Sequence, residues 1–154
     1  MGREITIGHE PGRYLAVVRF EARPEELPSK MGAAFGKVAG FLRKAGVPIT
    51  GPAGSCYQVT DDGFRVASGF HVDGRFEPGE GVEPLQLPDV DVVTTTHVGS
   101  YETLGGAYDA LKQGAAEQGR SVDDSGLMWE EYLDGPQTPP ERTRTVVHWP
   151  LLPA

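Results

Sequence analysis

LGGAYDAL, residues 104–111, decides the fold, because MGAAFGKV, residues 31–38, stands 73 positions earlier and matches it in size or character. Met31, Gly32, Ala34, Phe35 and Val38 map onto Leu104, Gly105, Ala107, Tyr108 and Leu111, and Gly46 maps onto Gly119. In the first stretch apolar residues recur at Met31, Ala34, Phe35, Val38, Leu42 and Ala45; in the second they recur at Leu104, Ala107, Tyr108, Leu111 and Ala115. That is the spacing of one helix face. Ser29 and Ser100 stand where a cap belongs, and Gly46 and Gly119 stand where a helix stops. Gly32, Gly36, Gly105 and Gly106 would each weaken a helix by about 1 kcal/mol relative to Ala. Their recurrence predicts a close approach of helix to sheet.

The flanks repeat as well. GRYLAVVRFEA (12–22) alternates as a strand, and SCYQVT, the turn DDG and FRVASGFHV read as a β-hairpin. DVVTTTHV (91–98), LMWEEYL (127–133) and RTRTVVHWPL (142–151) are the strands of the second half. Between the halves, DGRFEPGEGVEP (73–84) is rich in Gly, Pro and Glu and reads as a loop. The prediction is one domain over 1–154: repeat one about 5–72, a linker about 73–84, and repeat two about 85–152. Two βαββ units related by a pseudo-twofold axis, with their helices on one face, make an α+β fold with a mostly antiparallel sheet.

SGLMWEEYL (125–133) poses the functional question. Alternation puts Met128, Glu130 and Tyr132 on one face and Trp129, Glu131 and Leu133 on the other. Each face is apolar but for one carboxylate. One glutamate is expected to reach water and the other to enter an apolar environment, where an unpaired charge would cost several kcal/mol or bind a proton. By the same offset of 73, Tyr57 in the first half corresponds to Glu130 in the second. If these positions face a cleft between the halves, that cleft has aromatic walls and one acid.

Composition narrows the classes. The chain has 14 Lys and Arg against 22 Asp and Glu, a net charge of −8. The basic residues never cluster, so the footprint of nucleic-acid binding is missing. No stretch has the apolar length of a membrane span, and MGREITIGHE has no apolar core of a signal peptide. The same start matches a myristoylation signal by letter (MGREIT), but Glu4 and the strand-like ITI argue against that use. The single cysteine, Cys56, excludes an internal disulfide framework, fits a cytoplasmic location and reads as a small buried hydrophobe. His9, His71, His97 and His148 are scattered without ligand spacing, so neither a metal nor a cofactor is expected. His97 reads as a structural histidine at the entrance of the second helix.

HVGSYETLGGAYDAL (97–111) and WEEYLDGPQTPPE (129–141), with a last strand ending in WPL, resemble the GyrI-like small-molecule-binding superfamily. That family includes effector-binding domains of AraC-type and MerR-type multidrug regulators and stand-alone proteins. His97, Gly99, Tyr101, Glu102 and Leu104 keep its first motif, with Ser100 in place of the usual proline. Glu130, Tyr132, Leu133 and Pro136 keep its second. The resemblance implies an aromatic cleft with Glu130 at its base, where the regulators pair a glutamate with cationic, lipophilic ligands. Some stand-alone members are hydrolases of cyclopropane-containing electrophiles that use a glutamate and a tyrosine. Their tryptophan in the second helix is replaced here by Gly114, which would widen the pocket.

The resulting expectation is a domain that binds a small lipophilic, cationic or electrophilic molecule. Glu130 is the anchor, and Tyr14, Tyr57, Phe70, Tyr101, Tyr108, Met128 and Tyr132 are contacts. Tyr108 doubles as a core residue, and Tyr101 suits a half-wet rim. If the protein is an enzyme, Glu130 and Tyr101 are the catalytic pair. A third class is a protein-binding inhibitor of the gyrase-inhibitor type, with a basic protein partner. No helix-turn-helix accompanies the domain, so direct DNA reading is not expected.

Overall fold

The computed structural model describes residues 4–100, 103–135 and 137–153. They form β1 (Thr6–Pro11), β2 (Tyr14–Ala22), α1 (Leu27–Ala45), β3 (Ala53–Val59), β4 (Phe64–Val72), β5 (Glu83–Gln86), β6 (Asp89–Val98), α2 (Gly105–Glu117), β7 (Met128–Tyr132) and β8 (Arg144–Pro150). The class is α+β, and the strand pairs β2–β4, β2–β5, β3–β4, β6–β8 and β7–β8 are all antiparallel. The order β-α-β-β occurs twice, as β2-α1-β3-β4 and as β6-α2-β7-β8. The chain groups into two compact units, Pro11–Pro88 and Met1–Glu10 with Asp89–Ala154.

In the unit Pro11–Pro88 the strands lie in the order β5-β2-β4-β3. Val38 and Leu42 of α1 pack with Ala16 and Val72 of the sheet, and Tyr14, Val18, Phe41 and Phe70 surround them. Gly46 ends α1 in the left-handed region at φ 70°, a conformation that glycine adopts without a Cβ penalty. The start of α1 differs from expectation. The helix begins at Leu27 with Pro28 in its first turn, ahead of Ser29. Proline needs no backbone partner there, because the first N–H groups of a helix have none. The Gly/Pro/Glu-rich stretch also differs at its end: β5 starts at Glu83 and pairs along Tyr14–Val17 of β2.

In the other unit the order is β1-β6-β8-β7. Ala107, Leu111 and Ala115 of α2 pack with Val93 of β6 and Val147 of β8, with Ile5, Tyr108 and Trp149 at the margin. The residues these helices bury, Ala34, Val38 and Leu42 in α1 and Ala107, Leu111 and Ala115 in α2, fall at the offset of 73. α2 starts at Gly105 rather than beside Ser100. The Ser100 carbonyl, not its hydroxyl, accepts from the Thr103 hydroxyl at 2.9 Å.

Gly32, Gly36 and Gly105 do not bring helix and sheet together. A Cβ at Gly32, Gly36 or Gly105 would meet nothing within 4 Å. Gly114 is the close contact instead: a Cβ there would lie 2.6 Å from Ile5 Cγ2. Ile5 fills the space that replacing a tryptophan by Gly114 was expected to open. The pocket is therefore not widened at that point.

Candidate functional site

Ladder register fixes which side chains share a face. Tyr132 of β7 lies opposite Thr145 of β8, and Thr145 lies opposite His97 of β6. The next row is Glu130, Val147 and Thr95. Val147 packs in the core beneath α2, so Glu130, Tyr132, Thr145 and His97 stand on the helix-covered face. Tyr108, one residue beyond the buried Ala107, reaches this face from α2.

Glu130 is 5% exposed. The Tyr108 hydroxyl donates to its Oε2 at 2.6 Å and the Tyr132 hydroxyl to its Oε1 at 2.8 Å. Burial raises the Glu130 carboxyl above the usual carboxylate range, against the pull of the two tyrosine hydrogen bonds and of nearby His97. The Tyr108 phenol is pushed well above its ordinary value by burial first and then by the Glu130 charge, so it stays a donor. Its ring meets Trp149 edge-on at 5.9 Å. Tyr108 thus combines packing with a polar role. Met128 is buried and shares the Glu130 face by strand alternation.

His97 is buried and holds the approach to α2. Its Nε2 lies 3.0 Å from the Ser100 carbonyl and 3.0 Å from Thr103 Oγ1. A carbonyl only accepts, so Nε2 carries the proton. Thr145 Oγ1 is also buried and has no hydrogen-bond partner among the described residues.

The expectation that one glutamate of the pair reaches water is overturned. Glu131 is only 8% exposed. His148 Nε2 sits 2.5 Å from its Oε1, Thr94 Oγ1 lies 3.0 Å from His148 Nδ1, and Glu10 is 3.7 Å away. Trp129 stacks on the same imidazole with centroids 5.1 Å apart. The second carboxylate is buried because a histidine on the neighbouring strand meets it. Seventeen residues separate them, and short-range pattern does not see such a pairing.

The remaining expected residues divide by unit. Tyr14, Tyr57 and Phe70 belong to the unit Pro11–Pro88 and are half-buried. Tyr14 and Phe70 pack on the α1 core, and Tyr57 meets Phe64 edge-on at 6.0 Å. Tyr101, Glu102 and Pro136 lie outside the described residues. Cys56 is buried, and burial pushes its thiol up to about 12, so it is no nucleophile at neutral pH. Among the described residues no group of three or more His, Cys, Asp and Glu is placed to hold a metal. No helix there is long and apolar enough to cross a membrane.

Comparison with known proteins gives this geometry a setting. The C-terminal domain of EcmrR superposes with a TM-score of 0.83 at 18% identity, covering 100% of both chains. SAV2435 bound to tetraphenylphosphonium superposes at 0.66 and 11% identity, over 97% of this chain and 94% of that one. A hydrolase from Listeria innocua superposes at 0.67 and 14% identity, over 97% and 92%. At these identities the likeness is one of fold. A search of curated proteins found no match. The family model for the GyrI-like small molecule binding domain matches residues 3–152, so the chain belongs to that family.

Proposed function

We propose that Glu130 anchors a small lipophilic cation, with Tyr108 and Tyr132 holding its carboxylate in place. The observation that carries this reading is a carboxylate buried on the helix-covered face and bonded by two tyrosine hydroxyls. Burial leaves the charge poorly solvated, and a ligand cation would restore what water no longer supplies. Aromatic ring faces add about 0.5–2 kcal/mol to such a contact. The family's small-molecule binding and the tetraphenylphosphonium held by SAV2435 support the same ligand class. Calorimetric titration with tetraphenylphosphonium tests it: wild type binds, and Glu130→Gln binds at least about tenfold more weakly.

A second reading rests on the raised proton affinity of Glu130. A carboxylate whose proton affinity burial has raised is suited to take a proton from water attacking a strained ring electrophile, while a tyrosine hydroxyl returns one to the carbon released. The fold is shared with a hydrolase from Listeria innocua. The Tyr101 of the expected catalytic pair lies outside the described residues; Tyr108 and Tyr132 are the tyrosines bonded to Glu130. Mass-spectrometric detection of ring-opened product from a cyclopropane electrophile, formed by wild type and not by Glu130→Gln, supports hydrolysis. Binding without product rejects it.

A further inference from the structure

The Thr145 hydroxyl has no assigned role and an unusual setting. Thr145 is 0% exposed, and its Oγ1 finds no hydrogen-bond partner among the described residues. Valine has the same shape and the same liking for a strand, without an unpaired polar group to desolvate. The hydroxyl is therefore costly unless something bonds it. It stands in the row between Tyr132 and His97, one row from Glu130. Side chains placed diagonally on an antiparallel ladder have Cβ atoms on the order of 7 Å apart, within the span of a glutamate and one further atom.

From this placement we propose that Thr145 is a specificity residue of the Glu130 site, its Oγ1 accepting a hydrogen bond from an N–H of the bound cation. The preferred ligand is then a lipophilic protonated amine rather than a quaternary onium. Glu130 supplies charge, which both kinds of cation satisfy. Thr145 supplies a directed acceptor, which only a cation with an N–H can use. The inference rests on the cation-binding reading above and adds chemical discrimination to it.

The groups facing this position are the Glu130 carboxyl and Tyr132 hydroxyl of β7, the Tyr108 hydroxyl of α2 and the His97 imidazole of β6. The Glu130 oxygens already accept from Tyr108 and Tyr132, and all four groups are unchanged in Thr145→Val, which removes the unpaired oxygen and keeps the volume. Thr145→Ser keeps the oxygen and removes the methyl.

The test pairs two probes, 4-phenylbenzyl-dimethylammonium and its trimethylammonium analogue, titrated by calorimetry at a pH where the amine is protonated. Wild type is expected to prefer the dimethyl probe by roughly tenfold, the scale of one hydrogen bond to a charged donor. Thr145→Val loses that preference while its affinity for the trimethyl probe stays within about twofold, and Thr145→Ser keeps the preference. A preference that survives in folded Thr145→Val, or equal weakening of both probes, overturns the proposal while leaving cation binding intact. A wild-type protein that binds both probes equally also overturns it. If neither probe binds wild type, both the inference and the cation-binding reading fall.

Discussion

The two units solve one packing problem with different chemistry. In Pro11–Pro88, Phe35 of α1 meets Phe70 edge-on at 5.9 Å, and Tyr57 occupies the position of Glu130 by the offset of 73. In the other unit the matching residues are Tyr108 and Glu130, joined by a 2.6 Å hydrogen bond. At this pair of offset-matched positions α1 and β3 carry Phe35 and Tyr57, while α2 and β7 carry a phenol and a carboxylate bonded to each other. A second exchange concerns shape. Phe41 projects from α1 onto Gly79, where a Cβ would lie 2.9 Å from the ring. Its counterpart in α2 is Gly114, and Ile5 projects onto that glycine instead. The large residue has changed sides. The contrast teaches that the helix-on-sheet core tolerates either partner as the knob, while the chemistry resides in a few positions at its edge.

Breaking the polar half should cost more than altering the apolar half. His148→Leu leaves the Glu131 carboxylate buried without its imidazole, which should destabilise the protein by about 3–5 kcal/mol in urea unfolding. A loss below about 1 kcal/mol would mean that Glu131 is solvated without its partner. Gly114→Val drives new methyl groups into Ile5 and should cost about 1–3 kcal/mol by the same measurement. The opposite sign is expected in α1: Gly36→Ala meets nothing and should add about 1 kcal/mol.

Acidity sharpens the contrast further, because Glu130 puts a buried carboxyl where the offset places Tyr57 in the other unit. Burial raises the Glu130 carboxyl, so the folded state holds its proton more tightly than the unfolded chain does. The stability this group gives is complete below the ordinary carboxylate range and declines as pH rises toward the raised value. Cation affinity runs the other way, falling up to tenfold per pH unit as pH drops below that raised value. Thermal melts and titrations across the same pH series should therefore trend oppositely for wild type. Glu130→Gln should flatten the contribution of this group to both. Parallel trends would contradict the assignment.

Much of this was legible in the sequence, for local reasons. The helix faces were read from apolar spacing, and Ala34, Val38 and Leu42 with Ala107, Leu111 and Ala115 are the buried rows. The hairpin of β3 and β4 followed from the Asp61–Gly63 turn, and Glu130 on the face of Met128 and Tyr132 followed from strand alternation. What was not legible depends on partners distant in sequence. Glu131 looked destined for water because His148 stands on another strand. Gly114 looked like an opening because Ile5 arrives from the N-terminal stretch. β5 was hidden among Gly, Pro and Glu because its pairing with β2, not its composition, makes it a strand. Thr145 carried a faint signal: in RTVVHWP (144–150) it shares a face with Val147 and Trp149, a hydroxyl in an otherwise apolar row.

The central claim is that the Glu130 carboxylate receives a cation, and titration of tetraphenylphosphonium into wild type and Glu130→Gln at neutral pH, with both proteins' melting temperatures recorded, tests it most directly. The account expects saturable binding by wild type, at least about tenfold weaker binding by the variant, and a variant that melts no lower than wild type, because a poorly solvated charge has been removed. Equal binding by the two proteins, with both folded, would contradict it.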